Sequence, residues 1–196
     1  MSEAADRRRA AAVAGHHGDE PTARRLLADP DAAVRQSALG ALVRLGAATA
    51  ADVAGALADA DPGARRRACA AAIALDDLQG RLVELLADDD GSVVEAAAWA
   101  LGERGEAASA AVPALAAVAA SHTDPLCREA AVAALGAIGS PEGLPAILAA
   151  TGDRPAVRRR AVIALAPFDG PEVEAALAAA RSDRDWQVRQ AAEDLS

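Results

Sequence analysis

Residues 34–46 read VRQSALGALVRLG, in which Val34, Ala38, Leu39, Leu42 and Leu45 are the apolar positions of one face of a 3.6-residue helix. Gly46 closes the stretch, as helix-terminating glycines do. The same pattern returns along the chain. With Arg35 set at zero, equivalent positions are Arg7, Arg65, Val94, Arg128, Arg158 and Arg189, with successive spacings between 28 and 34 residues. Three residues past each stands an alanine: Ala10, Ala38, Ala68, Ala97, Ala131, Ala161 and Ala192. Eleven past it the pattern stops at Gly18, Gly46, Asp76, Gly105, Gly139 or Asp169. A period near 30 with helical spacing inside each unit describes stacked helix pairs.

The segment before each of these helices is a shorter apolar one, such as Leu82-Val83-Glu84-Leu85-Leu86 or Leu144-Pro145-Ala146-Ile147-Leu148. Turns rich in Asp, Pro and Gly separate the two: DPD at 29–31, DPG at 61–63, DDDG at 88–91 and TDP at 123–125. The layout predicts an all-α, right-handed superhelix in one domain, residues 1–196. It comprises a lone helix at 3–17 and pairs at 20–46, 49–76, 77–105, 106–139, 140–169 and 170–196. The longer first helix SAAVPALAAVAASH accounts for the extra length of the fourth unit, and Pro113 and Pro145 suit helix starts. At the last unit Glu193 and Ser196 replace the apolar residues of inner repeats, the polar closure expected of a final layer.

Alanine supplies nearly a third of the chain, with no tyrosine, one phenylalanine and two tryptophans. Thin layers tolerate that composition, whereas a thick globular core would be poorly filled. The formal net charge is −9 and every basic residue is arginine, which weighs against general affinity for nucleic acid or anionic membrane. No 18-residue apolar run and no signal sequence are present, so the expected compartment is the cytoplasm. Cys69 and Cys127 occupy apolar register positions and read as buried small hydrophobes.

The unit resembles the HEAT-repeat family, most closely its short bacterial, phycobilisome-lyase-like form. The resemblance rests on an aspartate six residues before the register arginine, followed by an apolar second helix: Asp29–Arg35, Asp59–Arg65 and Asp183–Arg189. The third unit has Asp88 but Val94; the fourth and fifth keep Arg128 and Arg158 without an aspartate at that position. The resemblance implies a ladder of these residues between neighbouring repeats, and scaffold or adaptor work in the armadillo-like manner. It also admits two other roles: an accessory protein handling a tetrapyrrole or modified protein, and a HEAT-like nucleic-acid binder.

Deoxyhypusine hydroxylase resembles this chain in its repeats but holds iron through His-Glu dipeptides. Here none of His16, His17 and His122 precedes a glutamate, so no metal, cofactor or catalytic residue is assigned. His16 and His17 read as a helix end. The arginine triplets 7–9, 65–67 and 158–160 read as charge ladders rather than phosphate contacts, with Arg66 facing Glu95 and Glu129 facing Arg159.

Trp99 stands five past the register position, where other units carry Ala12, Gly40, Ala70, Ala133, Ile163 and Asp194. That position is off the apolar stripe and, by the resemblance, on the concave surface. Flanked by Glu95 and Glu103, the indole reads as an anchor for a basic protein or peptide. The expected contact set is Trp99, Glu95, Glu103, Arg66, Glu129, Arg159 and Ile163, on a monomer. Trp186, in the turn before the last helix, reads as a cap shielding the final layer.

Overall fold

The computed structural model describes residues 3–195, and Ser196 lies outside them. The described residues form thirteen α-helices joined by turns and short 3-10 segments, with no strand. In chain order this is one helix followed by six pairs, the arrangement the register predicts.

Two compact units divide the chain, Met1–Leu82 and Val83–Ser196. The first holds α1 (Glu3–His17), α2 (Glu20–Leu26), α3 (Ala32–Leu45), α4 (Ala50–Leu57) and α5 (Pro62–Ala72). α6 (Gln79–Glu84) spans the boundary. The second holds α7 (Gly91–Glu103), α8 (Val112–Ser121), α9 (Pro125–Ile138), α10 (Leu144–Ala150), α11 (Pro155–Ala164), α12 (Pro171–Ala180) and α13 (Trp186–Glu193). The extension of the fourth unit's first helix is a 3-10 stretch, Gly105–Ala111, ahead of α8.

The apolar stripe of each second helix is buried. On α3 these residues are Val34, Ala38, Leu39 and Leu42; on α9, Cys127, Ala131, Val132 and Leu135. A fully buried leucine contributes roughly 1.5–3 kcal/mol over an exposed one. Ala10 is the exception among the register alanines and is exposed, because α1 has no first helix of its own beside it. At the chain's other end Glu193 is exposed. Both cysteines are buried as thiols and do not form a disulfide.

Helix ends follow the residue eleven past the register. Gly18, Gly46, Gly105 and Gly139 all adopt positive φ, between 56° and 79°. Gly46 and Gly139 cap helices that run to Leu45 and Ile138. Where aspartate stands instead, the left-handed cap is unavailable at low cost and the helix ends early, α5 at Ala72 and α11 at Ala164.

Helix starts use a second aspartate. Asp31, Asp61, Asp90, Asp124 and Asp185 each accept a backbone N–H of the first turn, satisfying donors that a helix cannot. Arg154 occupies that place before α11 and provides no side-chain cap.

Neighbouring second helices are keyed by glycine. A Cβ built on Gly15 would lie 2.8 Å from Cα of Ala41; on Gly102, 3.0 Å from Cα of Ala134; on Gly136, 2.7 Å from Cα of Ala164. In every case a glycine eight past the register abuts an alanine six past it on the next second helix. No larger pair allows so close an approach.

Candidate functional site

The register arginines are committed to the fold. Nε and Nη2 of Arg35 donate to both carboxylate oxygens of Asp59 at 2.7 and 2.6 Å, while its Nη1 donates to the carbonyls of Asp29 and Pro30. Arg7 holds Asp29, Arg128 holds Asp153 and Arg158 holds Asp183 in the same bidentate way. Each aspartate belongs to the next repeat, so each pair ties adjacent layers. The guanidinium keeps the carboxyls of Asp29, Asp59, Asp153 and Asp183 below the usual carboxylate range.

One expectation is corrected here. The fifth unit does supply a ladder aspartate, Asp153, shifted one residue toward Arg158 from the expected place. The turn between Asp153 and α11 is one residue shorter than elsewhere, and Asp153 still reaches Arg128 at 2.7 Å. The fourth unit differs in kind: His122 stands at the aspartate's place, and its Nδ1 accepts the N–H of Asp124 at 3.1 Å. The preceding unit carries buried Val94 where the arginine would be. Donor and acceptor are thus both replaced at that joint.

No group of three or more metal-ligating side chains converges among the described residues. Burial foremost, then the nearby Asp124, Glu95 and Asp90, push the Cys127 thiol up to about 11, so it stays protonated and inert at neutral pH. Its Sγ lies 3.4 Å from the carbonyl of Gly91.

What remains for contact is the solvent-facing side of the second helices. In the second unit Trp99 is 48% exposed and Ile163 is 42% exposed. Glu103 is exposed beside them in register, while Glu95, Glu129 and Arg159 are half-buried. Glu129 and Arg159 meet as the sequence suggests, at 3.8 Å, and Arg160 approaches the same carboxylate oxygen at 3.4 Å. Arg66 lies exposed on α5 of the first unit.

Trp186 is not the shielding cap expected of it. It is the first residue of α13, 65% exposed, and lines an open hollow of about 410 Å³ with Arg159, Ile163, Gln190 and Leu195. Sequence reasoning missed it, although a signal existed. Three residues before the register position the other units carry Ala32, Pro62, Gly91, Pro125 and Pro155. Tryptophan there departs from the pattern as plainly as Trp99 does at its own position.

Comparison with known proteins agrees with this geometry. A family model described as HEAT repeats matches residues 54–136, 78–155 and 112–195. No curated protein matches the chain. An engineered protein of known structure is similar at TM-score 0.64 and 20% identity, over 90% of this chain and 94% of that one. A designed armadillo repeat protein, solved in complex with the peptide (KR)4, is similar at TM-score 0.66 and 20% identity, over 89% and 97%. Human deoxyhypusine hydroxylase is similar at TM-score 0.50 and 22% identity, over 96% and 77%. At these identities the likeness is one of fold. The shared architecture is the helical-repeat solenoid, and no helix of the described residues is long and apolar enough to cross a membrane.

Proposed function

The chain belongs to the HEAT-repeat family, and from that premise we propose that it is a non-enzymatic scaffold binding a partner polypeptide. The contact surface is the solvent-facing side of its second helices. The observation that carries this reading is the half-exposed indole of Trp99, at a position where other units mostly carry small residues. A large rigid side chain left in water gives the fold little and offers a partner much. Exposed Ile163 and Trp186, which line one hollow with Arg159, extend that surface along the second unit. Glu103 and Glu95 favour a basic segment near Trp99, since a complementary charge steers and orients a partner.

Affinity capture with the wild type beside Trp99→Ala tests this. A polypeptide held by the wild type should bind the variant at least about thirtyfold more weakly, the loss of a central anchor worth roughly 2 kcal/mol. Helicity and thermal midpoint should stay unchanged. Equal retention by both proteins would remove Trp99 from the surface, and a large fall in midpoint would assign it to packing instead.

A further inference from the structure

We infer that the first unit carries a second, separate docking surface, built to take an acidic polypeptide segment. The inference rests on the reading of the chain as a polypeptide-binding scaffold. It adds the place and chemistry of another contact.

The surface is the solvent-facing side of α1, α3 and α5. At the positions one, two, five and nine past each register arginine stand Arg8, Arg9, Ala12 and His16, then Gln36, Ser37, Gly40 and Arg44, then Arg66, Arg67, Ala70 and Ala74. None is a carboxylate. Arg8, Arg9, Arg44, Arg66 and Arg67 are exposed, and none forms an ion pair with a described residue of the first unit. This sets them apart from Arg7 and Arg35, whose guanidiniums the fold consumes. It also sets this unit apart from the second, where Glu95, Glu103 and Glu129 occupy equivalent places. In a chain of net charge −9, five exposed arginines on one face run against the overall sign. Carboxylates do border it: Asp31 lines a hollow of about 520 Å³ with Arg8 and Arg9, and Asp61 accepts the Gln36 amide. Both are committed to capping α3 and α5.

Two of these arginines pass close to glycines. A Cβ on Gly40 would lie 2.5 Å from Nη2 of Arg67, and one on Gly15 would lie 2.5 Å from Nη1 of Arg44. Each guanidinium therefore occupies space that a methyl on the preceding second helix would take. Beside Gly40, Arg66, Arg67 and Gln36 line a hollow of about 390 Å³ floored by Leu39 and Val43. Guanidiniums grip carboxylates through paired hydrogen bonds, and the apolar floor receives the aliphatic part of a glutamate.

Nucleic acid fits this face less well. The first unit contains no Trp, Tyr or Phe, so unpaired bases have no aromatic platform.

Fluorescence anisotropy of the full chain with a labelled alternating Glu-Gly peptide, near physiological salt, tests the inference. Alternating Lys-Gly peptide and duplex DNA serve as comparators. The Glu-Gly peptide should bind. Arg66→Ser with Arg67→Ser should weaken it about tenfold or more, and Arg44→Ser should weaken it as well. Gly40→Ala should weaken it severalfold without a change of charge, because the methyl displaces Arg67. Arg25→Ser, an exposed arginine on α2, and Trp99→Ala should leave it unchanged. The inference is overturned if the Glu-Gly peptide fails to bind or if Arg25→Ser weakens it as much as the face variants. It is equally overturned if duplex DNA binds more tightly. A parallel loss in Trp99→Ala would mean one shared site and would end the claim of a separate surface. Loss of Trp99's role in capture, with these results intact, would count against the earlier reading alone.

Discussion

Arg158 donates through Nε and Nη2 to both oxygens of Asp183 and through Nη1 to the Asp153 carbonyl, and its side chain is 7% exposed. Truncating it leaves a half-enclosed carboxylate and an unsatisfied carbonyl. Arg158→Ala should therefore cost about 2–3 kcal/mol, less than the roughly 3–5 of a fully enclosed pair because Asp183 keeps some water. A thermal melt should register this as a fall of about 5–10 °C. Its neighbour Arg159, which meets Glu129 only at 3.8 Å, should cost about 0.5 kcal/mol or less when changed to alanine. At this scale the sequence was legible where spacing alone decides, as for Asp29, Asp59 and Asp183. It was illegible at Asp153, because a turn one residue shorter still presents its carboxylate. The two exposed tryptophans show the same limit. Both are outliers in register, but only Trp99 lies on a helix face whose orientation the apolar stripe fixes, whereas Trp186 lies at a helix start.

Among the helices, the three glycines eight past the register set how closely partners approach. Gly136→Ala would place a methyl 2.7 Å from Cα and Cβ of Ala164 and 3.0 Å from its carbonyl oxygen, with backbone that cannot step aside. We expect a loss of about 1–3 kcal/mol by chemical denaturation. Gly55, inside α4, has open space where its Cβ would be. Gly55→Ala should instead stabilise by about 0.4–1 kcal/mol, since the change only narrows the unfolded ensemble and suits a helix. Helix existence and order were readable from periodicity. The glycine keys were not, because a glycine inside a helix looks the same on paper whether it faces solvent or a neighbouring backbone.

For the molecule as a whole, the ladder carboxylates make stability depend on acidity. Asp29, Asp59, Asp153 and Asp183 each have a folded-state value below that of the unfolded chain, owing to the arginine hydrogen bonds. Their contribution stands in full above about pH 4–5 and drains as pH falls further. The thermal midpoint should drop steeply below that range, and replacing Asp59 and Asp153 by asparagine should lower the neutral-pH midpoint and flatten the fall. A midpoint indifferent to pH between 5 and roughly 2.5 would remove the ladder from the account of stability. The family was readable because a motif repeated along the whole chain is hard to mistake. A partner leaves no such repetition, only departures from it.

One joint departs most. Between α7 and α9 the ladder is missing on both sides, at Val94 and His122, while Gly102 seats tightly against Ala134. With no ladder carboxylate there, that joint is spared the loss of ladder pairs in acid. Amide hydrogens of α7 and α9 would then exchange last, marking a seed from which the array regrows on neutralisation.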